Sequence, residues 1–303
     1  MGNTIIKLDN ITKKYGKATV VDNFSVEIEQ GSICGLIGPN GAGKTTIMKM
    51  MAGLTSISSG KITYFGNKGI NNSLGRLSFM IENPMLDINM TAQQNMEYIR
   101  CLKGISRKER IDELLDFVGL SDVGSKKTKK FSLGMRQRLG IAMSLLSEPD
   151  ILVLDEPVNG LDPEGMVDVR KMLSRLSNER NVTILISSHL LSELSELCTD
   201  YAIINRGCLV EHISAEELAI KCENHLTVKT DDVNRTATVL EQQLGIKNYK
   251  VFHGEEIHVF EKFDDLSKIS KTITNADLTI LKFICEGANL EEYYLSKVGG
   301  NHA

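Results

Sequence analysis

The sequence predicts an α/β fold: a twisted, largely parallel sheet with a helical insertion, followed by a small α+β module. Three observations carry this prediction. A glycine-rich turn, Gly38-Pro39-Asn40-Gly41-Ala42-Gly43-Lys44-Thr45-Thr46, lies between an apolar run, Ile33–Ile37, and a helix-like segment, Ile47–Ala52. A wholly apolar run, Ile151–Leu154, ends in Asp155-Glu156-Pro157, as a central strand buried on both faces would. Runs of strand length then alternate with helical patterns along most of the chain, the order that builds parallel sheets.

Taken in order, Thr4–Leu8 and Val20–Glu29 read as strands, the second alternating Phe24, Val26 and Ile28 against polar neighbours. Ile33–Ile37 is a buried strand feeding the glycine-rich turn. Lys61–Phe65 and Leu77–Ile81 follow as strands. Thr91–Leu102, Arg107–Phe117 and Gly134–Leu146 read as helices, so a helical subdomain over about 84–146 interrupts the sheet. After the strand Ile151–Leu154 come a helix (Pro163–Ser177), a strand (Val182–Ser187) and a helix (Leu190–Leu197). These complete a first domain over residues 1–220. Residues 224–303 form a second. There Leu226–Lys229, Asp232–Leu244, Tyr249–Phe252, Ile257–Phe260, Leu266–Ala276 and Leu278–Ile284 give the order β-α-β-β-α-β, which suggests a ferredoxin-like module, with a last helix at Leu290–Val298.

Size and composition bound the function. The chain has 303 residues, 42% hydrophobic and 24% charged, and a net charge of −4, a balance without bias towards nucleic acid or anionic membrane surfaces. No uncharged apolar stretch approaches the 18 or so residues of a membrane span, and Met1–Asn10 lacks the apolar core of a secretory signal. A cytoplasmic protein is expected, with any membrane spans supplied by another polypeptide. The six cysteines, Cys34, Cys101, Cys198, Cys208, Cys222 and Cys285, are scattered without a C-x-x-C pair, so ordinary reduced thiols are expected.

The turn from Gly38 has the P-loop spacing Gly38-x₄-Gly43-Lys44-Thr45, in the strand–loop–helix context that gives it meaning. Glycines let successive N–H groups converge on phosphate oxygens, and the helix after them points its positive dipole end at the same anion. Lys44 reaches the β- and γ-phosphates, and the Thr45 hydroxyl ligates Mg²⁺. Asp155, at the end of a neighbouring strand, holds Mg²⁺ through water; Glu156 is then placed to orient the attacking water. Without the loop, Asp155 and Glu156 would be an ordinary solvated strand ending. A nucleoside triphosphate is the expected ligand.

Phe131-Ser132-Leu133-Gly134-Met135, just upstream of the second acidic motif, resembles the signature LSGGQ of the ATP-binding cassette (ABC) family, with Ser132 and Gly134 in its second and fourth places. Asn159-Gly160-Leu161-Asp162 resembles the family's D-loop, His189 its switch histidine, and Tyr15 the aromatic that stacks on adenine. The resemblance covers about Thr4 to Ile213. It implies a P-loop NTPase cassette, with an antiparallel β-subdomain beside the sheet, that binds ATP and Mg²⁺. It also implies head-to-tail pairing of two cassettes, in which Ser132, Gly134 and Asp162 face the partner's nucleotide, and docking on integral membrane permease subunits at the inner face of the cell membrane. Intact motifs at each position suit a homodimer.

One departure stands out. Where the family usually has a glutamine that touches Mg²⁺, this chain has Glu82, which adds negative charge near the triphosphate. Glu82, the Ser132–Met135 signature and Asn159 together resemble the branch that energises export of bacitracin and lantibiotics. An exporter of lipid, drug or ion is the alternative, and a soluble ABC protein of ribosomes or DNA a further one. The basic cluster Lys126, Lys127, Lys129, Lys130, Arg136 and Arg138 lacks interleaved aromatics beyond Phe131, so no nucleic acid is expected. The twelve methionines fit either core filler or an adaptable docking surface.

Overall fold

The computed structural model describes residues 3–68, 70–222, 224–252, 256–261, 265–287 and 290–298; the outer ends of the expected domains, residues 1 and 303, lie outside them. The chain divides into two compact units, Met1–Ala215 and Glu216–Ala303. Among the described residues no helix is long and apolar enough to cross a membrane.

The first unit holds two sheets. Strands β1 (Thr4–Tyr15), β2 (Ala18–Glu29), β4 (Ser59–Tyr64) and β5 (Asn67–Lys68) form an antiparallel sheet of order β2-β1-β4-β5. Strand β1 runs well past the expected Leu8, because its register with β2 shifts between Leu8 and Ile11. Asn10 sits there at φ 49°, a left-handed conformation that asparagine tolerates. The shift breaks the alternation from which strands are read, although Ile11 is as buried as Ile6 and Leu8.

The second sheet is the one that positions the site. Strands β3 (Ile33–Ile37), β6 (Leu77–Met80), β7 (Ile151–Leu154), β8 (Thr183–Ser188), β9 (Asp200–Asn205) and β10 (Cys208–Ser214) lie in the order β10-β9-β3-β8-β7-β6. All neighbours are parallel except the β9–β10 hairpin. Ile37 pairs with Ser188, Leu154 with Ile186 and Met80 with Leu154, so the carboxyl ends of four strands come level. Every residue of β3, β7 and β8 is buried, which explains the apolar runs Ile33–Ile37, Ile151–Leu154 and Ile184–Ile186.

Helices α1 (Lys44–Met51), α2 (Ala92–Leu102), α3 (Arg110–Phe117), α4 (Leu133–Ser144) and α5 (Pro163–Arg180) complete this unit. A capping box between Thr91 and Gln94 starts α2, the Ser132 hydroxyl caps α4, and Asp162 with Pro163 starts α5. The expected helix over Leu190–Leu197 shrinks to one 3₁₀ turn, Leu191–Glu193. The Ser188 hydroxyl accepts the Leu190 N–H at 3.0 Å and binds the Glu193 carboxylate, a local turn that competes with helix propagation. The β9–β10 hairpin was not legible as such. Its two-residue loop puts Arg206 at φ 48° and Gly207 at φ 82°, and Arg-Gly is a weak signal for a turn that needs positive φ at both places.

The second unit opens within α6 (Ala215–Lys221), from Glu216 on. Strands β11 (Asn224–Thr230), β12 (Tyr249–Phe252), β13 (Glu256–Val259) and β14 (Ile280–Gly287) pair antiparallel in the order β12-β13-β11-β14. Helices α7 (Val233–Leu244) and α8 (Leu266–Asn275) cross between them, and α9 (Leu290–Val298) is the last described element. Leu226, Val228, Leu240, Ile257, Val259 and Ile273 lie in a core of their own. Asp232 and Asp265 cap α7 and α8 by accepting from Arg235 and Lys268 N–H groups, and Gly245 closes α7 at φ 61°. Strand β14 starts later than the expected Leu278. Asp277 turns the chain at φ 55°, and the Asp231 carboxylate accepts the Thr279 N–H at 3.0 Å.

Candidate functional site

Strand β3 delivers the glycine-rich loop to the carboxyl edge of the parallel sheet, where open α/β sheets bind their ligands. A Cβ on Gly38 would stand 2.4 Å from the Ile204 carbonyl oxygen, so only glycine lets the loop leave the sheet there. Gly43, at φ 107°, turns the backbone into α1. The loop is closed by Ala42 N–H donating to Pro39 O at 3.0 Å, and Gly207 N–H donates to Ala42 O at 2.9 Å. Asn40 and Gly41 are exposed on the rim, Pro39, Thr45 and Thr46 are half-buried, and Lys44 is buried at 5% exposure.

The Lys44 ammonium donates to Gly38 O at 2.7 Å and Pro39 O at 3.4 Å, and stands 3.3 Å from Glu156 Oε1. A buried charge so held is ready to exchange those acceptors for phosphate oxygens. The Thr45 hydroxyl donates to Asp155 Oδ2 at 2.7 Å, joining the loop to the end of β7. These are the hard oxygen donors that Mg²⁺ takes, so Thr45 and Asp155 fit that ion.

The structure adds Ser187, which the motifs did not name. Its hydroxyl donates to Asp155 Oδ1 at 2.6 Å and accepts the Glu156 N–H at 2.9 Å. The residue is fully buried at the end of β8. Register alone places it: β8 lies beside β7, so a serine at its end meets both acidic residues. Glu156 sits at φ 46°, a left-handed backbone costing on the order of 1 kcal/mol that aims its side chain at the loop. Asn159 Nδ2 donates to Glu156 Oε2 at 2.9 Å. His189 Nδ1 approaches the same oxygen at 3.4 Å, within ion-pair range, yet this buried nitrogen has no aligned hydrogen-bond partner among the described residues.

Glu82 lies two residues beyond β6, at φ 66°, and pairs with Lys49 Nζ at 2.6 Å. That hydrogen bond, with the charges of Glu82 and Asp155 behind it, holds the Lys49 amine above its ordinary value. Tyr15 stands at the end of β1, 52% exposed, with Lys13 Nζ 4.8 Å from its ring centroid. Its ring is partly exposed beside the β1–β2 turn.

The signature and D-loop residues form a second cluster within the chain. Ser132 accepts the Met135 N–H at 3.2 Å, and Asp162 accepts the Gly165 N–H at 3.3 Å. Leu133 Cδ2 lies 3.3 Å from where a Cβ on Gly160 would stand, and Leu161 Cδ2 lies 3.7 Å from the corresponding point on Gly134. The hydrogen bonds of Ser132 and Asp162 thus cap their own helices, and the P-loop cluster of Lys44, Thr45, Asp155 and Glu156 is bonded separately. Part of the basic cluster is spent nearby: Arg138 donates to Val118 O at 3.1 Å, and Arg136 to Lys129 O at 3.3 Å. The methionines divide. Met48, Met50, Met51 and Met96 are core, while Met85 is 91% exposed.

One constellation was hidden by distance along the chain. Cys34, Asp200 and His212, on three adjacent strands, bring their ligand atoms within 4.8 Å of one another. His212 Nε2 is 3.1 Å from Asp200 Oδ2. Burial pushes the Cys34 thiol well up. Burial also works to raise the Asp200 carboxyl, but hydrogen bonds from His212, Cys34 and Thr199 outweigh it and hold the group below its ordinary value.

Comparison with known proteins agrees with this geometry. The family described as "ABC transporter" matches residues 21–159. The chain is 39% identical over 301 residues to the bacitracin transport ATP-binding protein BcrA of Bacillus licheniformis, with 98% of each chain covered. It is 42% identical over 206 residues to the lantibiotic transport ATP-binding protein SrtF of Streptococcus pyogenes, covering 68% of this chain and 89% of that one. A dimeric ATP-binding cassette in a post-hydrolysis state, bound to ADP and phosphate, superposes with a TM-score of 0.62 at 23% identity, over 70% of this chain and 99% of that one, which shows the shared fold. Motif order, strand-end geometry and full-length similarity converge: the chain belongs to the ATP-binding proteins of the ABC transporter family.

Proposed function

We propose that this chain is the ATP-hydrolysing subunit of an exporter that clears a peptide antibiotic of the bacitracin or lantibiotic type from the membrane. It works as a pair of identical cassettes at the inner face of the cell membrane, on separately encoded integral permease subunits. The observation that carries the ATPase reading is the meeting of Lys44, Thr45, Asp155 and Glu156 at level strand ends. The peptide class rests on similarity to BcrA along 98% of both chains, second unit included.

Lys44 and the loop N–H groups bind the phosphates, and Tyr15 stacks on the adenine. Thr45, Asp155 and Glu82 would hold Mg²⁺, which would supply charge neutralisation on the triphosphate when bound. Glu156 orients the water and takes its proton as the oxygen attacks the γ-phosphorus and ADP leaves. Asn159 steadies the Glu156 carboxylate, and His189 faces the γ-phosphate from β8. Ser132 and Gly134 at the start of α4, with Asp162, meet the nucleotide held by the second cassette. ATP thereby favours the closed pair over the open one, and this differential affinity drives the permease.

Survival of the native host against cationic and cyclic peptide antibiotics tests the reading, with strains carrying the wild-type gene, a deletion and Glu156→Gln. Deletion and mutant are expected to be sensitised alike and to selected peptides only, while purified Glu156→Gln accumulates as an ATP-bound dimer without turnover. Normal turnover by that variant removes the general-base role. Unchanged peptide sensitivity with intact ATPase activity removes the peptide and leaves lipid, drug or ion export.

A further inference from the structure

A carboxylate at Glu82 poses an electrostatic problem, because it stands at the strand edge where an anion of high charge is to bind. The structure shows how the charge is met. Thr45 and Lys49 are four residues apart on α1 and so share a face of that helix, roughly one turn from each other. Thr45 bonds to Asp155 at the end of β7, at 2.7 Å, and Lys49 bonds to Glu82 beyond the end of β6, at 2.6 Å. The two strands are parallel neighbours, and Asp155 N–H donates to Met80 O at 2.9 Å. The result is two adjacent rungs from one helix to two strand ends. Glu82 holds its place with a left-handed backbone, φ 66°, that only a fixed local structure sustains.

We propose that Lys49 is a positioning residue for the nucleotide–metal site, acting as the counter-charge of Glu82. The pair presents a nearly neutral group to the triphosphate, while the carboxylate stays able to leave Lys49 for a divalent cation. The inference rests on the ATP and Mg²⁺ assignment above and gives Lys49 a role that no motif of the sequence assigns. Its chemistry is an exchange of one cation for another on the same oxygen. Both side chains are partly exposed, at 38% and 63%, so water screens the pair and the effects are modest.

A cycle of Lys49→Met, Glu82→Gln and the double variant tests it, with Lys49→Arg as the charge-keeping control. The readout is equilibrium binding of ATP with chelator present and with Mg²⁺ added, alongside thermal unfolding to verify folding. Lys49→Met is expected to weaken metal-free ATP binding about two- to fivefold, the range of an exposed ion pair, and to make binding lean more on Mg²⁺. Glu82→Gln in the same chain should restore metal-free affinity to near wild type, and Lys49→Arg should match wild type throughout. A double variant as impaired as Lys49→Met overturns the proposal, since Lys49 would then act on phosphate directly. Unaltered binding in Lys49→Met overturns it too. Failure of the wild type to bind ATP is a separate result, and removes the nucleotide assignment itself.

Discussion

At the scale of single residues, the loop and the acidic pair supply the groups proposed to meet the nucleotide, and Ser187 holds the acidic pair in place. Its hydroxyl donates to the buried Asp155 carboxylate and accepts the Glu156 N–H, so one oxygen fixes both the expected metal ligand and the expected base. Removing a donor from a buried carboxylate costs about 1–3 kcal/mol. Ser187→Ala is therefore expected to lower kcat about tenfold, equal to roughly 1.4 kcal/mol of barrier, and to raise the Mg²⁺ concentration needed for half-maximal rate. Ser187→Thr keeps the hydroxyl and should retain most activity. Steady-state ATPase assays at varied Mg²⁺ decide this, and wild-type behaviour in Ser187→Ala would remove its positioning role. Lys44, Thr45, Asp155 and Glu156 were legible because a phosphate-loop spacing and an apolar strand ending in two acids rarely occur together by chance. Ser187 was not, since serine after an apolar run is commonplace and its partner lies 32 residues away in the chain. Lys49 was hidden for a similar reason, because a lysine on a helix face is usually only solvated.

At the scale of elements, legibility tracked how local the cause was. Strands buried on both faces announced themselves, and capped helices such as Ala92–Leu102 fell near their expected bounds. The stretch Leu190–Leu197 has helical periodicity, but the Ser188 hydroxyl diverts it into a turn. Strands β9 and β10 went unread because their hairpin loop is made by Arg206 and Gly207. This hairpin is also held by side chains. Asp200 on β9 binds His212 on β10 and receives Thr199 Oγ1 at 2.8 Å. Its carboxyl pKa in the folded chain lies below the ordinary value of 3.8, so its contribution to stability is present above that value. The contribution is lost as pH falls through the lower, folded value. Asp200→Asn should accordingly destabilise the protein by about 1–2 kcal/mol at pH 7, and the gap to wild type should close below about pH 4. Urea unfolding at both pH values measures it. A gap that persists unchanged in acid would mean that packing, and not the charged bonds, holds the hairpin.

At the scale of the whole molecule, the order of elements was readable and their pairing was not. The sequence supports β-α-β-β-α-β in its last eighty residues, but only long-range contacts set the strand order β12-β13-β11-β14. The same holds for the division after Ala215, which precedes the expected domain boundary at residue 220. Each unit carries its own hydrophobic cluster, with Phe24, Met48 and Val153 in one and Leu226, Leu240 and Ile257 in the other. Units with separate cores are expected to respond independently to change. We therefore expect residues 1–215 to fold alone and bind ATP within about twofold of the full chain, because Gly38, Pro39 and Glu156, the groups bonded to Lys44, belong to them. Residues 216–303 should unfold in a cooperative transition of their own. Circular dichroism melts of the two fragments, with nucleotide titration of the first, provide the measurement. Loss of ATP binding in residues 1–215 despite a native melt would tie the second unit to the catalytic site. If binding survives, Glu156→Gln in that fragment separates two roles for the second unit. A stable ATP-bound dimer without it rules out bracing of the pair and leaves ligand sensing, whereas loss of the dimer alone assigns bracing.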